Sequence, residues 1–252
     1  MRILLNGACG RMGRMLLDRV RESAGIPSAP EITARVDPCL PDEPAAGAWQ
    51  RLEDCTAEAD VVIDFSHHST APALAGYCRR RALPLVVATT GHSAEELEAL
   101  ERAAEEIAVF RAPNMSLGVA VLADLAKKAA SAFPGADIEI VETHHNQKLD
   151  VPSGTALLLA EALREGREPE PALVIGRHQN GRRSPGEIGI HSLRLGSEVG
   201  THEILISTGT ETLTLTHRAH SRAVFADGAL AAAAFLLGRE KGMYTMQDML
   251  KD

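Results

Sequence analysis

The segment RILLNGACGRMGRMLLDRV, residues 2–20, constrains this chain more than any other stretch. A short apolar run at residues 2–6 reads as a buried strand, and the amphipathic run from residue 14 reads as a helix. Between them stand Gly7, Gly10 and Gly13. Glycine lets the backbone turn tightly and approach a pyrophosphate, whose charge is met by free N–H groups at the helix start. Arg11 can fold over the same phosphates or over an adenine. The spacing is GxxGxxG and not GxGxxG, so a tight turn with no ligand is the other reading.

The same alternation continues. Residues 32–37 (ITARVD), 60–65 (DVVIDF), 85–88 (LVVA) and 107–110 (IAVF) read as strands. Helices are expected at 69–81 and across SAEELEALERAAEE, where Ser93 and Glu96 form a capping box. The stretch PCLPDEPAAG, residues 38–47, reads as a loose turn-rich connection. Strands alternating with helices predict a doubly wound parallel sheet, with every strand-end loop on one edge.

Asp37 ends the second strand, where a carboxylate holds a ribose hydroxyl, and the combination points to a dinucleotide. The carboxylate repels a 2′-phosphate and Pro38 follows it, so NADH is expected to be preferred over NADPH. Ala88-Thr89-Thr90-Gly91 and Ala112-Pro113-Asn114-Met115 fall at the ends of the fourth and fifth strands. They can hold a nicotinamide ribose or carboxamide, or simply form turns.

After residue 116 the character changes. One long helix is expected at 117–133, a strand at 138–142 and a helix at 155–164, followed by β-rich segments with Thr and Ile at period two. Residues 225–237 return to helix. The expectation is an α/β chain in which an N-terminal doubly wound sheet is joined to an α+β domain with a mixed sheet.

Within the second half, ETHHNQKLDVPSGT, residues 142–155, gathers His144, His145, Lys148 and the turn Ser153-Gly154-Thr155 just before an apolar helix. Cationic side chains beside a helix N-terminus suit an anionic substrate, and histidine exchanges protons near neutral pH. The two histidines are neighbours, so at most one is expected to face the chemistry. Their spacing matches no metal motif, and no zinc site is expected. Arg222 is a candidate second cation for a second carboxylate. His67, His68, His92, His178, His191, His202, His217 and His220 lack such company and read mostly as surface or structural.

A net charge of −8 argues against nucleic acid as a partner. The four cysteines are scattered, with no zinc or disulfide pattern, and no signal peptide or membrane span is read, which makes a cytoplasmic setting the expectation.

GACGRMG, VIDFS, ATTGHS, APNMSLGV, ETHHNQKLDVPSGTA, PGEIGIHSLR, VGTHE, HRAHSRAVFADGA and MYTMQDML together resemble the 4-hydroxy-tetrahydrodipicolinate reductase family, also called dihydrodipicolinate reductase. The resemblance implies a Rossmann domain at residues 1–116 completed by 222–252, and a substrate-binding and oligomerisation domain at 117–221 joining a homotetramer. It implies reduction of 4-hydroxy-tetrahydrodipicolinate by NADH or NADPH in lysine biosynthesis. His144 resembles the proton donor, His145 a substrate contact, Lys148 the second cationic catalytic residue, and the turn carrying Gly154 and Thr155 a carboxylate-binding turn. On the cofactor side it picks out Gly7, Ala8, Cys9, Gly10, Arg11, Met12, Asp37, Ala88, Thr89, Thr90, Ala112, Pro113, Asn114 and Met115. Departures are Met115 where Phe is common, Ala88 where Gly is common, and Pro38 where some members carry Arg. Two other readings stand beside it: an amino-acid dehydrogenase on a related plan, and a dinucleotide-sensing regulator without turnover.

Overall fold

Ile3, Leu4 and Leu5 are fully buried in the middle of β1 (Arg2–Asn6), because a parallel strand covered on both faces needs a continuous apolar run. The computed structural model describes residues 1–251. In chain order β1 is followed by α1 (Arg11–Glu22), β2 (Glu31–Val36), β3 (Ala48–Trp49), β4 (Val61–Asp64), α2 (Ala71–Arg81), β5 (Leu85–Val87), α3 (Ala94–Ala104) and β6 (Ala108–Arg111). Next come α4 (Leu117–Ala132), β7 (Asp137–His144), α5 (Gly154–Glu165), β8 (Leu173–Ile175), β9 (Ile188–Arg194), β10 (Gly200–Ser207) and β11 (Thr212–Ala219). The chain closes with α6 (Ala223–Leu236), β12 (Gly242–Tyr244) and α7 (Met246–Leu250). Two compact units result, one of Met1–Ser116 with the stretch from Arg222 onward, the other Leu117–Ser221.

The first unit holds a seven-stranded sheet in the order β12-β6-β5-β4-β1-β2-β3. Every pairing in it is parallel. The order steps outward from β1 in both directions, which is the doubly wound topology. The capping box of Ser93 and Glu96 starts α3 as the residues require. α6 packs on α1 and on β4, β5 and β6. Its approach depends on Gly228, where an added Cβ would lie 1.7 Å from the Met115 carbonyl.

Two strands escape the sequence reading. β3 lies just beyond the stretch expected to be loose, and β12 lies in the C-terminal tail. Strands of two and three residues carry no periodicity to read. β3 exists because Trp49, 4% exposed, packs into the core and its carbonyl accepts from Asp37 N at 3.0 Å.

The second unit has a five-stranded mixed sheet, β11-β10-β7-β9-β8. β10 runs antiparallel to β7 and β11, while β9 is parallel to β7 and β8. Registry places Ile138, Ile188 and Ile206 in one row and Ile140, Ile190 and Ile204 in the next. All six are buried, with Leu122, Ala126, Leu159 and Leu163 of α4 and α5 packed in the same core. Among the described residues no helix is long and apolar enough to cross a membrane.

Candidate active site

The turn between β1 and α1 is built by sterics. Gly7 has φ +84°, and an added Cβ there would lie 2.5 Å from Ser66 N. At Gly13 an added Cβ would lie 2.2 Å from the Gly7 carbonyl, so glycine lets α1 pack onto its own turn. Gly10, the exposed N-cap of α1, has no such crowding. The first turn of α1 contains no acidic residue, which leaves its N–H groups and dipole available to an anion. We expect Gly13→Ala to cost about 1–3 kcal/mol of stability, because the helix must move off the turn. Thermal melting checks this, and an unchanged melting temperature would contradict the packing argument.

Asp37 is 9% exposed and ties this turn to the end of β2. Its Oδ2 accepts from Cys9 N at 2.9 Å and its Oδ1 from Cys39 N at 3.0 Å. The structure thus brings Gly7, Ala8, Cys9, Gly10 and Asp37 together. A cavity of about 570 Å³ opens here, lined by Gly7, Gly10, Asp37 and Pro38 and walled by Val36, Leu52 and Leu74. Arg11 is exposed and Met12 half-buried on the first turn of the helix.

Ala88, Thr89 and Thr90 follow β5, and Ala112, Pro113, Asn114 and Met115 follow β6. β1, β4, β5 and β6 are parallel neighbours, so all these loops leave the same edge of the sheet. The Thr89 hydroxyl is engaged inward, 3.3 Å from Asp64 Oδ2 and 3.1 Å from His92 Nε2. Asp64 also takes Asn6 Nδ2 at 2.9 Å and Ser66 Oγ at 2.5 Å. Burial pushes its carboxyl above the usual range despite these hydrogen bonds. Asp64, within the VIDFS motif, therefore pins the loops at the centre of this edge, a role the motif did not by itself reveal.

In the second unit the two isoleucine rows are followed on the same sheet face by two polar rows. Registry sets Glu142 beside Ser192 and His202, and His144 beside Arg194. The next position across from His144 is Gly200, where an added Cβ would lie 3.0 Å from His144 Nε2. Glu142 is fully buried. His144 Nδ1 lies 2.5 Å from its Oε2, while Arg194 spans both oxygens at 3.0 and 2.9 Å. Ser153 N donates to Oε1 at 3.2 Å. Burial alone would raise the Glu142 carboxyl, but the hydrogen bonds from His144 and Arg194 outweigh it and hold it well below the usual carboxylate range. The carboxylate is ionised, so Nδ1–H of His144 donates to it, and Nε2 faces the room that Gly200 leaves.

Ser153 is the N-cap of α5, its Oγ accepting from Ala156 N at 3.2 Å and meeting His202 Nε2 at 3.1 Å. Around Gly154 an added Cβ would meet nothing within 4 Å, so the start of α5 is open at this point. His202 is 3% exposed, and burial followed by the proximity of His144 pushes it down to about 4, which keeps it neutral. Arg194 Nη2 also donates to the Asp150 carbonyl at 2.7 Å, which holds the loop carrying Lys148. Lys148 Nζ pairs with Asp150 Oδ1 at 2.8 Å. His145, just past the end of β7, is half-buried.

Glu142, Arg194 and His202 are the residues that sequence reasoning missed. His202 in particular is not on the surface but buried within this cluster, where it meets Ser153. A signal existed: each strand reads as inward isoleucines that give way, in phase, to polar residues at one end. Arg222 is exposed at the N-cap of α6 and belongs to the first unit. Among the described residues no group of three or more His, Cys, Asp or Glu is placed to hold a metal ion.

A parallel Rossmann-like sheet with a glycine turn and a separate mixed-sheet unit is the architecture of many dinucleotide-dependent oxidoreductases, and the reductase family that the chain matches makes it an NAD(P)H-dependent one. Residues 1–115 match the family described as dihydrodipicolinate reductase, N-terminus, and residues 118–250 the one described as dihydrodipicolinate reductase, C-terminus. The chain belongs to the dihydrodipicolinate reductase family. It is 44% identical to 4-hydroxy-tetrahydrodipicolinate reductase of Caldanaerobacter subterraneus subsp. tengcongensis, over 99% of this chain and 98% of that one. The protein of the same name from Clostridium tetani is 41% identical, over 99% and 96%. The solved structure of dipicolinate-bound dihydrodipicolinate reductase from Paenisporosarcina sp. TG-14 matches with a TM-score of 0.78 at 25% identity, covering 97% of both chains.

Proposed function

We propose that this chain reduces 4-hydroxy-tetrahydrodipicolinate to tetrahydrodipicolinate, with loss of water, at the expense of NAD(P)H in diaminopimelate and lysine biosynthesis. The observation that carries the reading is His144, held by Glu142 through Nδ1 with Nε2 against the side-chain-free Gly200, in the same unit as Lys148 and the start of α5. The first unit holds the dinucleotide and the second the substrate.

On the cofactor side, the turn from Gly7 to Met12 receives the pyrophosphate, Asp37 the adenosine ribose, and the loops 88–90 and 112–115 the nicotinamide end. The fit rests on glycines whose Cβ atoms would fill the turn and on an acid-free helix start. When bound, the dinucleotide supplies a hydride. On the substrate side, Lys148, His145 and the Ser153-Gly154-Thr155 turn receive carboxylate, with Arg222 as a further cation. Lys148 can exchange its partner for substrate because Asp150, 57% exposed, is easily solvated in its place. Loss of water leaves a conjugated, electron-poor ring, and reduction at C4 moves electron density toward the ring nitrogen. His144, with Lys148 beside it, then supplies the proton.

The reading includes a homotetramer assembled through the sheet face of the second unit that α4 and α5 leave uncovered, where Leu193 is 51% exposed. It also includes a cytoplasmic setting.

The test is loss of absorbance at 340 nm with NADH, and separately NADPH, while the substrate is generated by its synthase from pyruvate and aspartate semialdehyde. Substrate-dependent oxidation supports the reading; cofactor binding without oxidation overturns it in favour of a regulator. NADH is the preferred cofactor in this reading, since Asp37 repels a 2′-phosphate and Pro38 offers no cation. Asp37→Ala should shift the NADPH-to-NADH ratio of kcat/KM toward NADPH by about tenfold. An unchanged ratio would remove Asp37 from cofactor choice.

A further inference from the structure

The short strand β3 has a consequence for cofactor recognition. By pairing with β2 it returns residues 50–53 to the cavity bordered by Gly7, Gly10 and Asp37. Among the described residues that line this cavity, Arg51 is the only arginine or lysine. Its side chain is 67% exposed and pairs, among the described residues, with Glu53, Nε lying 3.1 Å from Oε1, and with Asp54 at 3.8 Å. Such exposed pairs are weak and exchange readily for a better anion. Asp37, by contrast, is nearly buried and has one backbone N–H on each oxygen.

We infer that Arg51 is the residue that admits NADPH, by exchanging Glu53 for the 2′-phosphate of the adenosine ribose. A guanidinium recognises a phosphate dianion through paired charge-assisted hydrogen bonds, for which Lys or a neutral residue is no equivalent. Pro38 leaves no cation beside Asp37, so the counter-charge reaches the cavity from β3, in a different loop. Glu53 acts as the competitor: it occupies the guanidinium when no phosphate is present and lowers the affinity for NADPH without touching NADH. The inference rests on reading this cavity as the adenosine end of the dinucleotide site.

Calorimetric titration of the full chain tests it without turnover, using NADH, NADPH, AMP and adenosine 2′,5′-bisphosphate. Arg51→Ala should weaken NADPH and adenosine 2′,5′-bisphosphate by about tenfold while NADH and AMP change by less than about twofold. Glu53→Gln should strengthen the two 2′-phosphorylated ligands by roughly threefold. Both residues are exposed, so neither variant threatens the fold. If all four ligands bind and Arg51→Ala leaves their ratios unchanged, the assignment of Arg51 is overturned and the reductase reading stands. If none binds the unmodified chain, the reading of the cavity falls and this inference falls with it.

Discussion

Replacing His144 with alanine is expected to lower kcat by about 10²–10⁴-fold, the usual contribution of a positioned general acid. NADH binding should stay within about twofold, since the dinucleotide loops belong to the other unit. The size of the effect follows from how completely the ring is specified. Glu142 holds Nδ1, Gly200 leaves room at Nε2, and the ring edge is packed against His202 at 5.2 Å between centroids. No neighbouring residue of the cluster duplicates that arrangement: His202 is engaged with Ser153, and Arg194 is engaged with Glu142. Single-turnover kinetics separate the chemical step from binding. A kcat within about threefold of the parent would mean that the proton comes from another group.

The second large effect is on stability. Glu142→Ala should destabilise the chain by about 3–5 kcal/mol, because it leaves the mostly buried Arg194 charge without its bidentate partner and strips His144 and Ser153 N of an acceptor. Urea denaturation at neutral pH measures this, and a loss below about 1 kcal/mol would contradict the network.

The same cluster sets the response to acid. His202 is depressed from 6.5 to about 4, so as pH falls below 6.5 the unfolded chain takes up a proton that the native chain refuses. Stability should therefore drop between pH 6.5 and about 4, by on the order of 3 kcal/mol from this group. Glu142 is also depressed, so its contribution is present above 4.5 and is lost as pH falls further. Two successive losses are expected in a series of denaturation curves. A flat stability between pH 7 and 5 would sink the assignment to His202.

How much of this was legible before folding differs from residue to residue. The packing of Gly13 onto its own turn, the capping box at Ser93 and the Ser153 cap of α5 are local: each depends on residues within one turn or one loop, although Gly7 also answers to the distant backbone at Ser66. Steric rules and helix-end chemistry act at that range, so their roles can be read from order and spacing alone. Period-two alternation likewise announced most strands of the second sheet, whereas the two- and three-residue strands β3 and β12 of the first sheet carried no such signal.

The composition of the catalytic cluster was decided at longer range. Arg194 meets Glu142 across 52 residues, and His202 meets Ser153 across 49. Which strand lies beside β7, and in which register, depends on burying Ile138, Ile140, Ile188, Ile190, Ile204 and Ile206 together; a slip of one residue would turn every one of them, and His202 with them, to the opposite face. Arg51 enters the cofactor cavity for a similar reason, since Trp49 gains enough burial to dock a two-residue strand on the sheet edge. Local order determined the glycine turn, the helix starts and the histidine–lysine loop; only the burial of distant apolar faces decided which charged partners those groups would meet.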